Sequence, residues 1–591
     1  MSRIHWYPAV AGLLLLLLLP VGVLGGLNSL LYSAVFFLHL IILLTGTAFM
    51  GASLSLRTYS DSHLTKFTWG VIILVVLVTI FAGIHPITAK DALIHHLAVP
   101  KWWVQSNSPT PIYWHEWSYY PMLLQLAYAE FLKLGLEMVT PIYHFLWLLL
   151  LSFVVGDFLL EESDDKEIAV FSVLLTLGLP VAMNLASTPL VDLGVGFFTT
   201  ATLLSVIKFY RTGAYHFLFL AGASLGLSLG VKYNALPVFA LLPFLIALLR
   251  WRYQFSVQKA AYSLVIILGV ALLFALPWLC RNYFATGNPL HPLFGNLFGG
   301  KIAAAHGGIN LSPLQHRIQM EGEGPLEILL TPFKMILMAR DGDPGRYDGV
   351  LSPLFLLAFF PLFLRRKGRY AFRWLLPLAV LVVGYYVIAL SQTSWRIRYL
   401  APLFGPLVIF SSVGLLFLRD KLPSARLKYW CVALAVGAQT ILSLWYGISL
   451  VRKNDAIPYA LGELDKETYL SSHLREYPTI AFVNQNVPSD EKVYLLYTSN
   501  QFYYYEREVY SAGYRSERDV LKWLRASSDG SGLIEGFRSG DFNYLVTNRA
   551  LLLKGLSSVL SDAEKIAWTN FYNEHLQEIY TSGDYTLWKI H

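Results

Sequence analysis

Asp91, His95 and His96 stand together in KDALIHHLAVPKWW, residues 90–103, and are the first residues whose types and spacing suggest chemistry. On a helix, residues four apart share a face, so Asp91 and His95 are neighbours and His96 lies one position off. Such a cluster either binds a divalent metal or divides the roles of general base and orienting group. Histidines packed at an interface are the plain alternative, and no HExxH or CxxC spacing adds a metal signature. His115 with Glu116, and DGDPGRYD at residues 341–348, could also ligate a cation but read more simply as polar loops.

The elements that must position these groups are membrane spans. Of 591 residues, 55% are hydrophobic, 15% aromatic and 14% charged, which implies repeated apolar spans rather than a string of soluble domains. Runs of roughly 17–25 apolar residues are long enough to cross a bilayer. They fall near 8–25, 29–55, 68–86, 139–160, 168–187, 191–208, 215–231, 234–250, 260–279, 351–364, 374–391, 399–418 and 428–450, about thirteen in all. The net charge of +7 comes from short Lys and Arg clusters between these runs, with no basic stripe or base-reading motif, so nucleic acid is not an expected partner. Residues 1–26, with Arg3 and a Leu-rich core, are read as an uncleaved first helix rather than a signal peptide.

Arg57, Lys66, Lys208, Arg211, Arg250, Arg252, the cluster Arg365, Arg366, Lys367, Arg369 and Arg373, and Arg419, Lys421, Arg426 and Lys428 all fall on one side of such a membrane protein. By the positive-inside rule that side is the cytoplasm, and the acidic EESDDKE loop at 161–167 is tolerated there. The amino terminus is then inside and the carboxyl terminus outside the cell (inner) membrane. Residues 1–451 form the membrane module, with external loops at 87–138 and 280–350, and residues 452–591 an external domain. In the first loop, stretches at 91–105 and 120–134, too short to span, are expected to lie in the interface among Trp102, Trp103, Trp114, Trp117, Tyr119 and Tyr120. In the tail, the β-leaning runs KVYLLYT and FNYLVTN alternate with the helix-like ERDVLKWLRAS and DAEKIAWTNFYNEHLQEIY, which suggests a small α/β fold. Cys280 and Cys431 fall on opposite sides and are read as packing thiols.

Combining this topology with the polar residues at span ends brings Asp91, Asp192, Lys232, Arg281, Asn282, Arg396 and Arg398 to the outer face. Ionisable groups at a membrane are costly and usually face a cavity or pathway, although any single one is commonly a solvated anchor. Two acids and several cations on one face are the stronger signal.

Five features in order resemble the GT-C superfamily of membrane glycosyltransferases, similar to protein O-mannosyltransferases and the lipid A aminoarabinose transferase. They are the loop Asp in KDALIHHLAVP, the span start STPLVDLGVGFF, the Gly-rich AGASLGLSLGVKYNAL, the PWLCRN and GNPLHP loop, and the late RYLAPLFGP. The resemblance covers roughly residues 60–450. It implies a polytopic α-helical fold, with Asp91 as general base or part of a metal-assisted site and Asp192 assisting. It implies that Lys232, Arg281 and Arg398 hold the phosphate of a polyprenyl-phosphate sugar, with His95, His96, Tyr233 and Asn282 in support. The acceptor is a lipid, glycan or protein. No cofactor is certain. A divalent metal on Asp91 and His95 stays open, because Ala92 stands where many relatives carry a second acid.

The same chemistry follows from the residue types: sugar transfer from a lipid phosphate needs a base for the acceptor hydroxyl and cations for the departing phosphate. Attack opposite the leaving group inverts the anomeric centre, and an Asp near its usual value of about 3.9 is a weak base that burial, or proton transfer late in bond formation, is expected to help. A multi-span transporter of a lipid-linked or anionic substrate is the main alternative. Transporters commonly carry internal repeats and midplane sites, unlike charges gathered at one face. A non-catalytic scaffold would leave those charges unexplained.

Overall fold

The computed structural model describes residues 6–298, 312–363, 372–392, 395–512, 517–527 and 531–591. Arg3 and the basic residues Arg365, Arg366, Lys367 and Arg369 lie outside the described residues. Among the described residues nine helices are long and apolar enough to cross a bilayer, and a bent pair makes a tenth. The sequence count of about thirteen is therefore corrected. The run at 168–187 breaks into Lys166–Leu177 and Pro180–Ala186, bent by 56°, because Gly178 caps the first helix and Pro180 has no amide hydrogen to continue it. His216–Val231 and Leu375–Gln392 are shorter apolar helices, and the run at 351–364 is a 3-10 segment, Pro353–Phe359, followed by the single turn Phe360–Phe363.

Small residues set the helix packing that matters most for the site. His216–Val231 lies against Val257–Thr286 through Gly222 and Gly226, one turn apart. A Cβ on Gly226 would stand 2.5 Å from the Ala271 carbonyl oxygen, and one on Gly222 2.8 Å from that of Ile267. Glycine allows this approach, which suits helix association in a solvent where hydrophobicity gives no drive. The contact fixes where this helix ends, and Lys232 caps it in extended backbone.

At one end of the bundle, ion pairs draw basic residues onto the EESDDKE loop and its helix. Arg57 meets Asp157, Arg211 meets Glu162, Lys208 reaches Glu161 at 3.0 Å and Arg419 reaches Asp165 at 2.5 Å. At the other end, Ala92–His96 forms a π-helical turn, closed by a 2.8 Å bond from the Leu97 amide to the Ala92 carbonyl, and runs into Ala98–Ser106. The helix Leu123–Lys133 departs from its expected interfacial role, because its residues from Leu123 to Phe131 are all buried. It is wedged against the early helices: Tyr32 Oη donates to the Leu126 carbonyl at 2.8 Å and Ser33 Oγ to Glu130 Oε1 at 2.8 Å.

The tail folds as short helices around a five-stranded sheet of β1 (Lys492–Leu496), β2 (Glu508–Tyr510), β3 (Phe542–Asn548), β4 (Leu576–Ser582) and β5 (Tyr585–Ile590), in the order β2-β1-β3-β5-β4. β1 is parallel to β2 and β3, whereas β5 runs antiparallel to β3 and β4. The helix-like run from residue 562 ends at His575, and LQEIYTS becomes β4, because Gly583 at φ +56° turns the chain into a hairpin with β5.

Candidate functional site

Span ends, the π-helical turn and one loop of the tail domain surround a cavity of about 730 Å³. Asp91, His95 and His96 line it from the turn, Lys232 from the end of the Gly-rich helix, and Arg396, Arg398 and Tyr399 from the start of the late span. Trp117, Tyr120 and Gln125 also line it, as do Thr498, Ser499 and Asn500 from beyond β1. A π-helical turn is wider than an α turn and is common at functional sites; here it brings both histidines to the cavity with Asp91.

Two ion pairs organise the charges. Arg398 Nη2 donates to Asp91 Oδ2 at 2.5 Å, and Lys232 Nζ donates to Asp192 Oδ1 at 2.8 Å. Asp192 is 1% exposed and does not line the cavity; it stands behind Lys232 and holds its ammonium. His144 secures the same corner. Its Nε2 accepts from the Leu193 amide at 3.1 Å, and its Nδ1 donates to the Leu185 and Thr188 carbonyls at 2.9 and 3.0 Å.

The expectation that burial raises Asp91 is overturned. Burial does push its carboxyl up, but Arg398, with His95 and Lys232, outweighs burial and holds it down to about 2. Burial lowers His95 to about 4, so its ring is neutral near pH 7, stacked on Trp117 with a buried Nδ1 that has no partner among the described residues. His96 Nδ1 accepts from Gln125 Nε2 at 2.7 Å.

Arg281, expected at the phosphate, does not line this cavity. Its guanidinium donates to the Pro109 and Ser118 carbonyls at 3.2 and 2.9 Å and packs over Trp103 and Trp278, tying the 87–138 segment to the bundle. Asn282 and Tyr233 also stand outside the cavity lining. Asn282 Nδ2 donates to Tyr233 Oη at 3.3 Å and to the His291 carbonyl at 3.2 Å, which holds the GNPLHP loop. His115 is fully buried among Trp102, Trp114, Trp117 and Phe502. In DGDPGRYD, Asp348 pairs with Arg396 at 3.4 Å and Asp341 accepts from Tyr446 Oη at 2.6 Å, so these acids brace a loop.

A divalent metal on Asp91 and His95 does not fit this donor set. Asp91 already accepts from a guanidinium, Asp192 from an ammonium, and among the described residues no three His, Cys, Asp or Glu side chains converge. Sequence reasoning missed Tyr399, which lies under both the Lys232 ammonium and the Arg398 guanidinium at 5.3 and 5.1 Å. It also missed Thr498–Asn500, for which a loop after a parallel strand was the available signal.

The family model of dolichyl-phosphate-mannose-protein mannosyltransferases matches residues 137–288, a stretch that contains Asp192 and Lys232 but neither Asp91 nor Arg398. No curated protein matches the chain. Among solved structures, ArnT from Cupriavidus metallidurans in the apo state aligns with a TM-score of 0.57 at 12% identity, over 88% of this chain and 97% of that one. The same protein bound to undecaprenyl phosphate aligns with a TM-score of 0.55 at 12% identity, over 89% and 98%.

Proposed function

We propose that this chain, whose fold is that of the GT-C membrane glycosyltransferases, moves a sugar from a polyprenyl-phosphate donor to a hydroxyl of a lipid, glycan or protein acceptor, with inversion. The observation that carries the reading is that Asp91, Lys232 and Arg398 line one cavity. By the positive-inside rule the end bearing Arg57, Arg211 and Arg419 faces the cytoplasm, so the cavity opens at the outer face of the cell membrane and the tail domain lies outside. Undecaprenyl phosphate bound to ArnT supports a polyprenyl carrier. A second cavity of about 170 Å³, walled by apolar side chains including Leu400 and Leu403, shares the 3-10 segment that carries Arg398 and suits part of an isoprenoid tail.

In this reading the donor phosphate is held by Lys232 and Arg398. The acceptor oxygen attacks the anomeric carbon from the face opposite the phosphate, the C–O bond to phosphate breaks with its electron pair leaving on the phosphate oxygen, and the acceptor proton passes to Asp91. A carboxylate at about 2 is a weak base in the resting cavity. As the phosphate draws the Arg398 guanidinium toward itself, the opposition to burial weakens and the Asp91 carboxyl rises. Proton transfer also comes late, once the forming bond has made the acceptor oxygen acidic. Both cations then face the charge that develops on the leaving phosphate.

Proteoliposomes containing the full chain and a sugar-labelled polyprenyl phosphate test this. The expected result is release of the polyprenyl phosphate with the label on an acceptor or water. Movement of intact donor across the bilayer without bond cleavage would identify a transporter instead.

A further inference from the structure

Beside the cations of the cavity stands a wall of different chemistry. Thr498, Ser499 and Asn500 line the cavity, yet they belong to the loop that leaves the C-terminal end of β1 in the tail domain. The loop has a strained, tightly held backbone. Tyr497 and Asn500 both adopt φ +55°, a left-handed conformation uncommon outside glycine and often found at functional sites. Buried Glu476 accepts from the Ser499 amide at 3.2 Å and from Tyr505 Oη at 2.9 Å, while Ser499 Oγ and Tyr585 Oη share a 2.6 Å hydrogen bond.

The residues that follow clamp the loop to the membrane module. Phe502 packs among Trp102, Trp114 and His115, Tyr503 Oη donates to Glu137 Oε2 at 2.6 Å, and Tyr504 Oη donates to the Ile87 carbonyl at 2.8 Å. Lys101 Nζ donates to the Tyr503 carbonyl at 2.9 Å and also to that of Tyr505. Consecutive side chains of FYY thus register the tail domain against the segment that carries Asp91. A domain tethered only as an appendage would need none of these contacts.

We propose that Thr498, Ser499 and Asn500 are the acceptor-binding wall of the cavity and recognise an uncharged, hydroxyl-rich glycan unit, an inference that rests on the cavity being a glycosyl-transfer site. The charge division carries it. Lys232, Arg396 and Arg398 come from span ends, where a lipid-linked phosphate arrives from the bilayer, and Lys90 lines the cavity from beside Asp91. The loop comes from the domain outside the bundle and carries two hydroxyls and an amide with no charge; Ser499 Oγ is bonded to Tyr585 Oη and Thr498 Oγ1 donates to Asn500 Oδ1 at 3.5 Å, which leaves the Asn500 amide as its freest donor. Asn500 Oδ1 accepts from Ser511 Oγ at 3.3 Å, while its Nδ2 donates to none of the described residues and remains available to a ligand hydroxyl. Trp117 and Tyr120 line the same cavity and add aromatic surface to it.

Native membranes carrying only the variant protein test the proposal, supplied with a panel of sugar-labelled undecaprenyl phosphates. For the panel member that the wild type consumes, label transferred to membrane acceptors is divided by label released to water. Asn500→Gly, which keeps the left-handed backbone, should lower this ratio about tenfold, the worth of one or two hydrogen bonds. Thr498→Val should lower it less. An unchanged ratio in both variants, whether or not total turnover falls, overturns the wall, and label in protease-sensitive protein rather than glycan overturns the chemical class. Asp91→Asn separates the two levels: if that variant transfers sugar at the wild-type rate, or if the wild type consumes no panel member, the transfer site itself is wrong.

Discussion

Both ends of the helical bundle pair acids with cations, but they do so to opposite effect. At the basic end, Asp157, Glu161, Glu162 and Asp165 are matched by Arg57, Lys208, Arg211 and Arg419, and the pairs fasten helices to one another. At the other end, Asp91 with Arg398 borders a cavity of about 730 Å³, which Lys232 also lines with Asp192 paired behind it. An ion pair at a span end is therefore no mark of a site. What distinguishes the second end is room beside the pair and partners that a ligand anion can draw apart.

The largest break in this comparison would come from exchanging the acids. Asp91→Asn should lower transfer about 10²–10⁴-fold, the range for a lost general base, while Asp157→Asn should cost stability with turnover per folded molecule retained. Equal loss of turnover per folded molecule would erase the distinction between the ends. Arg398→Gln should lower the transfer rate about 10²–10³-fold, as removal of a charge-stabilising donor does. It should also shift the pH profile. Wild-type Asp91, held down to about 2 in the free protein, stays ionised there through the acidic range, so the acid limb of the kcat/KM profile lies near that value. Without the arginine, burial is less opposed and the limb should move upward, as a pH–rate titration reads directly.

Lys232→Met leaves the buried Asp192 carboxylate without its partner and should cost about 3 kcal/mol of stability, seen as a lowered Tm. Adding Asp192→Asn should restore Tm without restoring donor affinity. A smaller effect concerns the tail domain. Burial pushes the Glu476 carboxyl up to about 7, against its bonds from Tyr505 and Ser499. The folded state then holds this proton more tightly than the unfolded chain, so this stability is complete below the usual carboxylate range and lost as pH rises through about 7. Glu476→Gln should flatten that dependence in thermal melts of the full chain. The smallest effect is expected from Arg211→Gln at the basic end: the arginine is 39% exposed, which limits the pair to under about 1 kcal/mol, with transfer unchanged.

Asp91, Lys232 and Arg398 were legible in the sequence because each polar residue interrupts or bounds an apolar run, and sidedness followed from the basic clusters. Arg281 satisfies the same criteria but stands outside the cavity lining. Position at a span end gives a height in the membrane but not a direction around the helix, and its side chain turns toward the Pro109 and Ser118 carbonyls. The span at 351–364 misled for a related reason: hydropathy measures apolar length, whereas its 3-10 geometry depends on tertiary packing. The loop Thr498–Asn500 was hidden because the contact that makes it functional joins β1 of the tail to a turn near residue 91. No local pattern records that meeting, although the aromatic run FYY after it marks a docked segment.

The central claim is that the cations of the open end hold a lipid-linked phosphate beside Asp91. Its most direct measurement is the dissociation constant for undecaprenyl phosphate on the full chain by native mass spectrometry, comparing wild type with two double variants. Lys232→Met with Arg398→Gln should abolish measurable binding, and Arg211→Gln with Arg419→Gln should bind as wild type does. Retained binding in the first pair, or loss confined to the second, would contradict the account.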